Sequence, residues 1–171
     1  MNYSFSISTK KADEYRIYLV DADISVLADN VKAIIELQGI DISEIIIDRV
    51  SGGNATSQEV LHAITGRIAD LFADHPTLII YYSCDDMNPI PSRNTKGSNR
   101  DISVQEYRSR LFSHIFDTYM NSHRVSGFSN TPIRIKGDGY IQFMHLIARD
   151  ELLPIVDLIR DDIIEGWSKP N

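Results

Sequence analysis

The residues best suited to chemistry lie between two regular segments in the middle of the chain. They bring together a thiol, two carboxylates and four guanidinium groups: Cys84, Asp85, Asp86, Arg93, Arg100, Arg108 and Arg110. An apolar run ends at Cys84 and a helical pattern begins near Ser103, so a loop held at both ends is expected between them. Arginines beside the unpaired N–H groups of a helix N-terminus can bind a phosphate or carboxylate. The sequence therefore predicts an anion or ligand site at residues 84–103 and at the start of a helix over 104–121.

Two other interpretations of these residues stay open. Arg108 and Arg110 can instead form ion pairs with acidic residues of the loop, and ion pairs of this kind are more often structural than functional. Cys84 acts as a nucleophile only when its thiolate is stabilised, and its acidic neighbours disfavour a thiolate. The loop also lacks both nucleotide-binding glycine patterns. We therefore predict no catalytic residue and no cofactor, and leave open whether the protein is an enzyme.

The histidines and the cysteine give no pattern typical of a metal site. The histidines are His62, His75, His114, His123 and His145, without H-E-x-x-H or paired i, i+4 spacing. His145 falls in a predicted strand, where we expect a hydrogen-bonded core or boundary residue. The single cysteine excludes an intramolecular disulfide and a cysteine-based zinc site. The sequence predicts no metal and is compatible with a reducing compartment.

Hydrophobic periodicity predicts an α+β fold. Alternating residues indicate an N-terminal hairpin, three consecutive isoleucines indicate a buried strand over 44–50, and residues 77–83 read as a central strand that is apolar on both faces. A second hairpin is expected over 128–147, around a Gly-Asp-Gly turn. Helical spacing recurs at 24–37, after Thr56, after Ser103 and at 150–164, and Thr56 with Glu59 and Ser103 with Glu106 form capping boxes.

These elements predict one domain over residues 1–171, with a frayed tail from about residue 166. We expect a mostly antiparallel sheet with three to four helices packed mainly on one face. An edge of the 128–147 hairpin is a candidate for pairing with a second copy, so a homodimer stays open.

The charge of the chain limits its partners. Asp and Glu number 24 against 17 Lys and Arg, for a formal net charge of −7. This charge disfavours nucleic acid and anionic lipid, and it favours a basic protein. Asp157, Asp161 and Asp162 on the last predicted helix are a candidate partner face. The start of the chain has no secretory pattern and no segment is apolar enough to span a membrane, so we predict a cytoplasmic protein.

The strand end LIIYYSCDD and the helix RSRLFSHIFDTY carry a resemblance to a known family. The chain resembles an uncharacterised bacterial family of small α+β proteins, a domain of unknown function, at Cys84, Asp85, Arg108, Arg110, Leu111 and Phe112. The resemblance extends in element order from Tyr3 to Trp167, but the loop over 87–102 is much longer here. It implies a fold pattern and no activity.

Two classes of function follow from these observations. The first is a non-catalytic protein-binding or regulatory domain, including an inhibitor or immunity-type factor that neutralises a basic effector. The alternative is a small-molecule enzyme or sensor that binds an anionic ligand at the 84–103 loop, because a loop of about 16 residues in a compact domain usually has a function or is disordered. We prefer the first.

Overall fold

Six strands and four helices make up the fold. The structure, a computed structural model, describes residues 3–10, 12–52, 58–84, 102–137 and 140–168. The strands are β1 (Tyr3–Ser8), β2 (Glu14–Asp21), β3 (Asp41–Ser51), β4 (Leu78–Cys84), β5 (Phe128–Gly137) and β6 (Tyr140–Arg149). The helices are α1 (Asp29–Leu37), α2 (Gln58–Asp74), α3 (Val104–His123) and α4 (Leu153–Ser168), the last preceded by a 3-10 turn at Asp150–Leu152. None of the described helices is long and apolar enough to cross a membrane.

The strands form one sheet in the order β1-β2-β3-β4-β6-β5. Both predicted hairpins are present, as the antiparallel pairs β1–β2 and β5–β6. Strands β3 and β4 are parallel, since α2 connects them as a crossover. Strand β4 then pairs antiparallel with β6. The predicted α+β class with a mostly antiparallel sheet is confirmed.

The helices cover both faces of the sheet, which corrects the expectation that they pack mainly on one. Leu78 and Ile80 of β4 contact the core under α2 and α3, whereas Ile79 between them contacts the core under α1 and α4. All three side chains are 0% exposed. Alternate residues of a strand point to opposite faces, so a strand this apolar requires cover on both sides. The periodicity of each helix gave no information about which face it would cover.

Two predicted boundaries shift in the structure. Helix α1 begins at Asp29 and not near Ile24, because Asp23 accepts a hydrogen bond from the Ser25 N–H at 2.9 Å and the chain turns there. Helix α4 continues to Ser168, past the residue where fraying was expected, and residues 169–171 lie outside the described ones. Its Pro154 is in the first turn, where the missing N–H costs no helical hydrogen bond.

The capping box at the start of α3 is confirmed. The Ser103 hydroxyl accepts a hydrogen bond from the Glu106 N–H at 3.0 Å. At the other end, Arg124 adopts a left-handed conformation with φ of 52° and closes the helix. Thr56 of the other predicted capping box lies outside the described residues. Helix α3 therefore has a fixed start directly after the predicted site loop.

We predict that Ser103→Ala destabilises the protein by about 1 kcal/mol, because the first turn of α3 loses its side-chain cap. Urea denaturation followed by circular dichroism measures this change. Ser122→Ala is the matched control, since this exposed serine only donates a hydrogen bond to the Thr118 carbonyl near the end of the helix. Equal effects of the two substitutions would contradict the capping role.

Candidate functional site

The structure describes three residues of the predicted anion site, Cys84, Arg108 and Arg110. Asp85, Asp86, Arg93 and Arg100 lie outside the described residues, so their predicted role stays a prediction. Cys84 is buried at the end of β4, 1% exposed, opposite Phe143 of β6. A thiol in this position is enclosed by the sheet and its helices, as a structural cysteine is.

Arg108 and Arg110 of α3 do not face the same side of the helix. Arg110 forms an ion pair with Glu106 at 2.6 Å, one turn earlier on the same helix, and both groups are near the surface. Arg108 is half-buried. Residues two apart on a helix do not face each other, so these guanidinium groups point in different directions. Arg110 therefore takes part in a structural ion pair on its own helix. The acidic loop residues that were predicted to pair with the two arginines lie outside the described residues, so that pairing stays a prediction.

The structure instead shows a buried polar network that joins α3 to the β5–β6 hairpin. His145 on β6 is 0% exposed, and its Nδ1 lies 2.9 Å from Asn130 Oδ1 on β5. Its Nε2 lies 3.0 Å from the Ser109 hydroxyl on α3. Asn130 in turn donates to the Ser113 hydroxyl at 3.2 Å. The expectation that His145 is a hydrogen-bonded core residue is confirmed.

Aromatic rings enclose the imidazole of His145. The Phe112 ring lies 4.8 Å from it and the Tyr82 ring 6.1 Å, and these two rings stack on each other at 4.8 Å. Burial disfavours the charged imidazolium and lowers the pKa of His145 to about 4. His145 is therefore neutral at physiological pH.

Ser109, His145 and Asn130 have the connectivity of a nucleophile, a base and an orienting amide, as in a catalytic triad. Their environment is unsuited to that chemistry. Ser109 is 7% exposed inside α3, where its own backbone N–H lies within the helix and cannot form an oxyanion hole. A base that takes the nucleophile's proton must become an imidazolium, and neither the burial nor the neutral Asn130 stabilises one. The network holds α3 to the sheet.

Sequence reasoning missed this network because its members are far apart in the chain. Ser109, Asn130 and His145 match no catalytic motif, and only the antiparallel register of β5 and β6 brings the last two together. The one available signal was a histidine within a strand that is otherwise apolar from Phe143 to Ala148. A buried polar residue at such a place requires hydrogen-bond partners.

Two clefts among the described residues are too small for a typical ligand. One lies between α2, α3 and the sheet, is lined by apolar residues including Leu61, Ile64 and Phe112, and encloses about 40 Å³. A second one beside Phe72 and Met120 encloses about 10 Å³. Sites for small molecules usually measure about 300–1,000 Å³.

The predicted acidic partner face is largely engaged in contacts within the protein. Arg160 forms ion pairs with Asp157 at 2.6 Å and with Asp161 at 2.8 Å. Asp162 accepts a hydrogen bond from the Ala28 N–H at 2.8 Å, at the residue that precedes the first turn of α1. These carboxylates therefore stabilise α4 and the start of α1, which weakens the case for a docking face.

The two edges of the sheet differ in how they are protected. Edge strand β5 carries Pro132, Arg134 and Lys136 and packs against α4. Proline and charged residues are the usual means by which edge strands avoid pairing with other chains. Edge strand β1 has the sequence YSFSIS, with no charge and no proline. The prediction that the 128–147 hairpin offers the pairing edge is therefore not supported, because β6 is an inner strand and β5 is protected.

The outward hydrogen-bonding groups of β1 follow from its register. Tyr3 at the start of β1 lies opposite Leu19 of β2, and Ser8 at its end lies opposite Glu14. Each step forward along β1 therefore matches one step back along β2. Thr9 continues this register, and its N–H donates to the Asp13 carbonyl at 2.8 Å. Hydrogen-bonded pairs alternate along an antiparallel ladder. The odd residues of β1 therefore bond to β2, and the N–H and C=O groups of Ser4, Ser6 and Ser8 point outward.

Comparison of the chain with protein-family models, with curated proteins and with solved structures finds no match. The fold and the geometry of its sites are thus the basis for assigning a function.

We predict that protonation of His145 destabilises the protein in acid. The pKa is about 4 in the folded state against 6.5 for a free histidine, so the unfolded state takes up the proton first. Stability from the neutral imidazole is lost as the pH falls from about 6.5 to about 4, with about 2 kcal/mol lost between about pH 7 and about pH 5. Urea denaturation at both pH values measures the loss.

The loss should shrink in His145→Gln and persist in His114→Gln, which changes an exposed histidine on α3. If wild-type protein and His145→Gln lost the same stability between the two pH values, His145 would not be the group that titrates.

We also predict that Asp162→Ala destabilises the protein by about 1 kcal/mol, because it leaves the Ala28 N–H without its side-chain acceptor. Asp161→Ala removes only an exposed ion pair and should cost less than about 0.5 kcal/mol. Thermal unfolding of both variants tests the difference. A larger effect at Asp161 would show that α4 depends on its surface ion pairs.

Proposed function

We propose that this protein is a non-catalytic protein-binding domain that receives an extended segment of a basic partner protein along β1. The observation that carries the proposal is the outer edge of β1, with backbone groups of Ser4, Ser6 and Ser8 that point outward. This strand has no charge or proline, and no further strand lies beside it in the described part of the chain. Unpaired N–H and C=O groups on an edge strand are a template for a further strand. Main-chain hydrogen bonds supply affinity in such complexes, and alternate side chains supply specificity.

The side chains of β1 suit an added strand. Phe5 and Ile7 pack against the core under α2 but are only partly buried, and Tyr3 on the same face is 38% exposed. Tyr3 and Phe5 are in ring contact, 5.9 Å between centroids. Apolar side chains on a neighbouring strand would extend this row and remove its exposed area from water.

The opposite side of β1, β2 and β3 is polar and open, and we name it the open face. Ser4 lies beside Tyr18 and Ile46 across the strands, and Ser6 beside Arg16 and Asp48. Of these, Ile46 is 38% exposed, and Arg16 and Asp48 are exposed too. The partner segment should therefore alternate, with apolar residues toward the α2 side and polar residues toward the open face.

The charge of the chain favours a basic partner. A net charge of −7 accelerates encounter with a protein of opposite charge and disfavours one of like charge. Binding of this kind should weaken as salt is added. An inhibitor or immunity-type factor that blocks a basic effector would use both features, and the single reduced cysteine suits the cytoplasm as the place of action.

The buried polar groups support binding over catalysis. The Ser109–His145–Asn130 network is satisfied internally, and the described clefts hold no more than a few water molecules. Strand β1 offers recognition without any movement of the core.

We predict that Ser6→Pro abolishes partner binding while Ser6→Ala retains it. Proline removes an outward N–H of β1, and it leaves the β1–β2 hydrogen bonds in place because those come from the odd residues. Alanine removes the hydroxyl and keeps the N–H, so it is the matched control. Both variants, immobilised beside the wild type, are exposed to lysate of the host, and quantitative mass spectrometry measures recovery of basic proteins.

We expect the wild type and Ser6→Ala to retain a basic protein that salt elutes. Its recovery on Ser6→Pro should be at least about tenfold lower. Circular dichroism confirms that both variants are folded. Equal recovery on the two variants would contradict binding at β1. Recovery of a second copy of this chain alone would replace the basic partner with a homodimer.

A further inference from the structure

Two histidines meet at the contact between α2 and α3. The rings of His62 on α2 and His123 on α3 have centroids 6.1 Å apart, with their planes at 89°. The Tyr119 ring stacks on His123 at 4.1 Å and also lies 6.1 Å from His62. Since His62 is equidistant from the two stacked rings, it lies to the side of the stack.

His62 contains one of two buried side-chain polar atoms that have no hydrogen-bond partner among the described residues. That atom is Nε2, and it is shielded from solvent. A buried nitrogen without a hydrogen-bond partner destabilises the folded state, so such a group calls for an explanation, and coordination of a metal ion is one.

The second histidine is held in the orientation of a metal ligand. Nδ1 of His123 lies 3.1 Å from the Tyr119 carbonyl oxygen, which can only accept, so Nδ1 carries the proton. Nε2 then carries the lone pair. A histidine that donates from one ring nitrogen to a backbone carbonyl and coordinates through the other is the usual arrangement in metal sites. His123 is exposed, so an ion can reach it from solvent.

Gly66 allows the two helices to approach closely enough for this contact. It lies one turn after His62 on the same face of α2, and a Cβ atom built on it would be 3.2 Å from the Tyr119 hydroxyl. A larger residue there would push Tyr119, and with it the stacked His123, away from His62.

We propose that His62 and His123 together bind one divalent transition-metal ion, of the kind that imidazole nitrogens prefer, such as Zn²⁺. Each Zn–N bond is about 2.1 Å long, so two rings that share an ion have centroids no more than about 6.5 Å apart. The 6.1 Å between the His62 and His123 rings lies within that limit. No group of three or more His, Cys, Asp or Glu side chains that could hold a metal occurs in the described part of the chain, and water fills the remaining coordination positions. The ion fastens α2 to α3.

The site was not visible in the sequence, where the histidines showed no ligand spacing and no metal was predicted. His62 and His123 lie on separate helices, and only the packing of α2 against α3 brings them together. This site is independent of β1 and of the proposed partner.

Isothermal titration of the full chain with ZnCl₂ tests the proposal. We expect one saturable site in the wild type, and at least about a tenfold rise in Kd for His123→Gln and for His62→Gln. His114→Gln, on the same helix and outside the pair, should bind as the wild type does.

Thermal unfolding gives a second readout, since an ion that binds only the folded state raises Tm by an amount that grows with the ratio of free ion to Kd. EDTA should reverse the rise in the wild type. His123 is exposed, so His123→Gln keeps the fold even if His62→Gln does not. The absence of a saturable site in the wild type would overturn the proposal, as would unchanged binding in His123→Gln.

Discussion

The fold depends on burying β4 from both sides. Leu78, Ile79 and Ile80 have no contact with water, and each face of the sheet has its own pair of helices, α2 with α3 and α1 with α4. This burial has two consequences. Burial of β4 requires the parallel crossover through α2. Burial also leaves β6 as the other neighbour of β4, so the C-terminal hairpin joins the middle of the sheet. The N-terminal hairpin is then displaced to the far edge, where α2 packs against β1. Among the described residues, the open face stays exposed.

Local signals in the sequence were sufficient for the individual elements and insufficient for their assembly. The apolar run at 77–83 and the Ser103–Glu106 capping box correctly placed β4 and the start of α3, because each reflects interactions between close neighbours in the chain. The face that each helix covers depends on strand order, and hydrophobic periodicity carries no information about strand order.

The same limit applies to prediction of the sites. The 84–103 loop was conspicuous because its residues are contiguous, whereas the His145 network and the His62–His123 pair exist only after distant segments pack.

The polar groups of this protein divide into those that the fold satisfies and those that it leaves available. His145, Asn130 and Ser109 satisfy one another, and Asp157, Asp161 and Asp162 are engaged by Arg160 and by the start of α1. An enzyme commonly holds perturbed groups where a substrate can reach them. Here the group with the most strongly lowered pKa, His145, is sealed behind Phe112 and Tyr82. The groups that the described residues leave available include backbone atoms on β1, and these recognise extended chains by hydrogen bonding.

Amide hydrogen exchange, measured by NMR on the isolated protein, is the most direct test of whether the outer edge of β1 can accept a strand. Amides bonded within a sheet exchange slowly and amides that face water exchange quickly. We expect an alternation, with fast exchange at Ser4, Ser6 and Ser8 and protection at Phe5, Ile7 and Thr9. Uniform protection along β1 would rule out strand addition there, because it would show that the edge is already covered in the isolated protein.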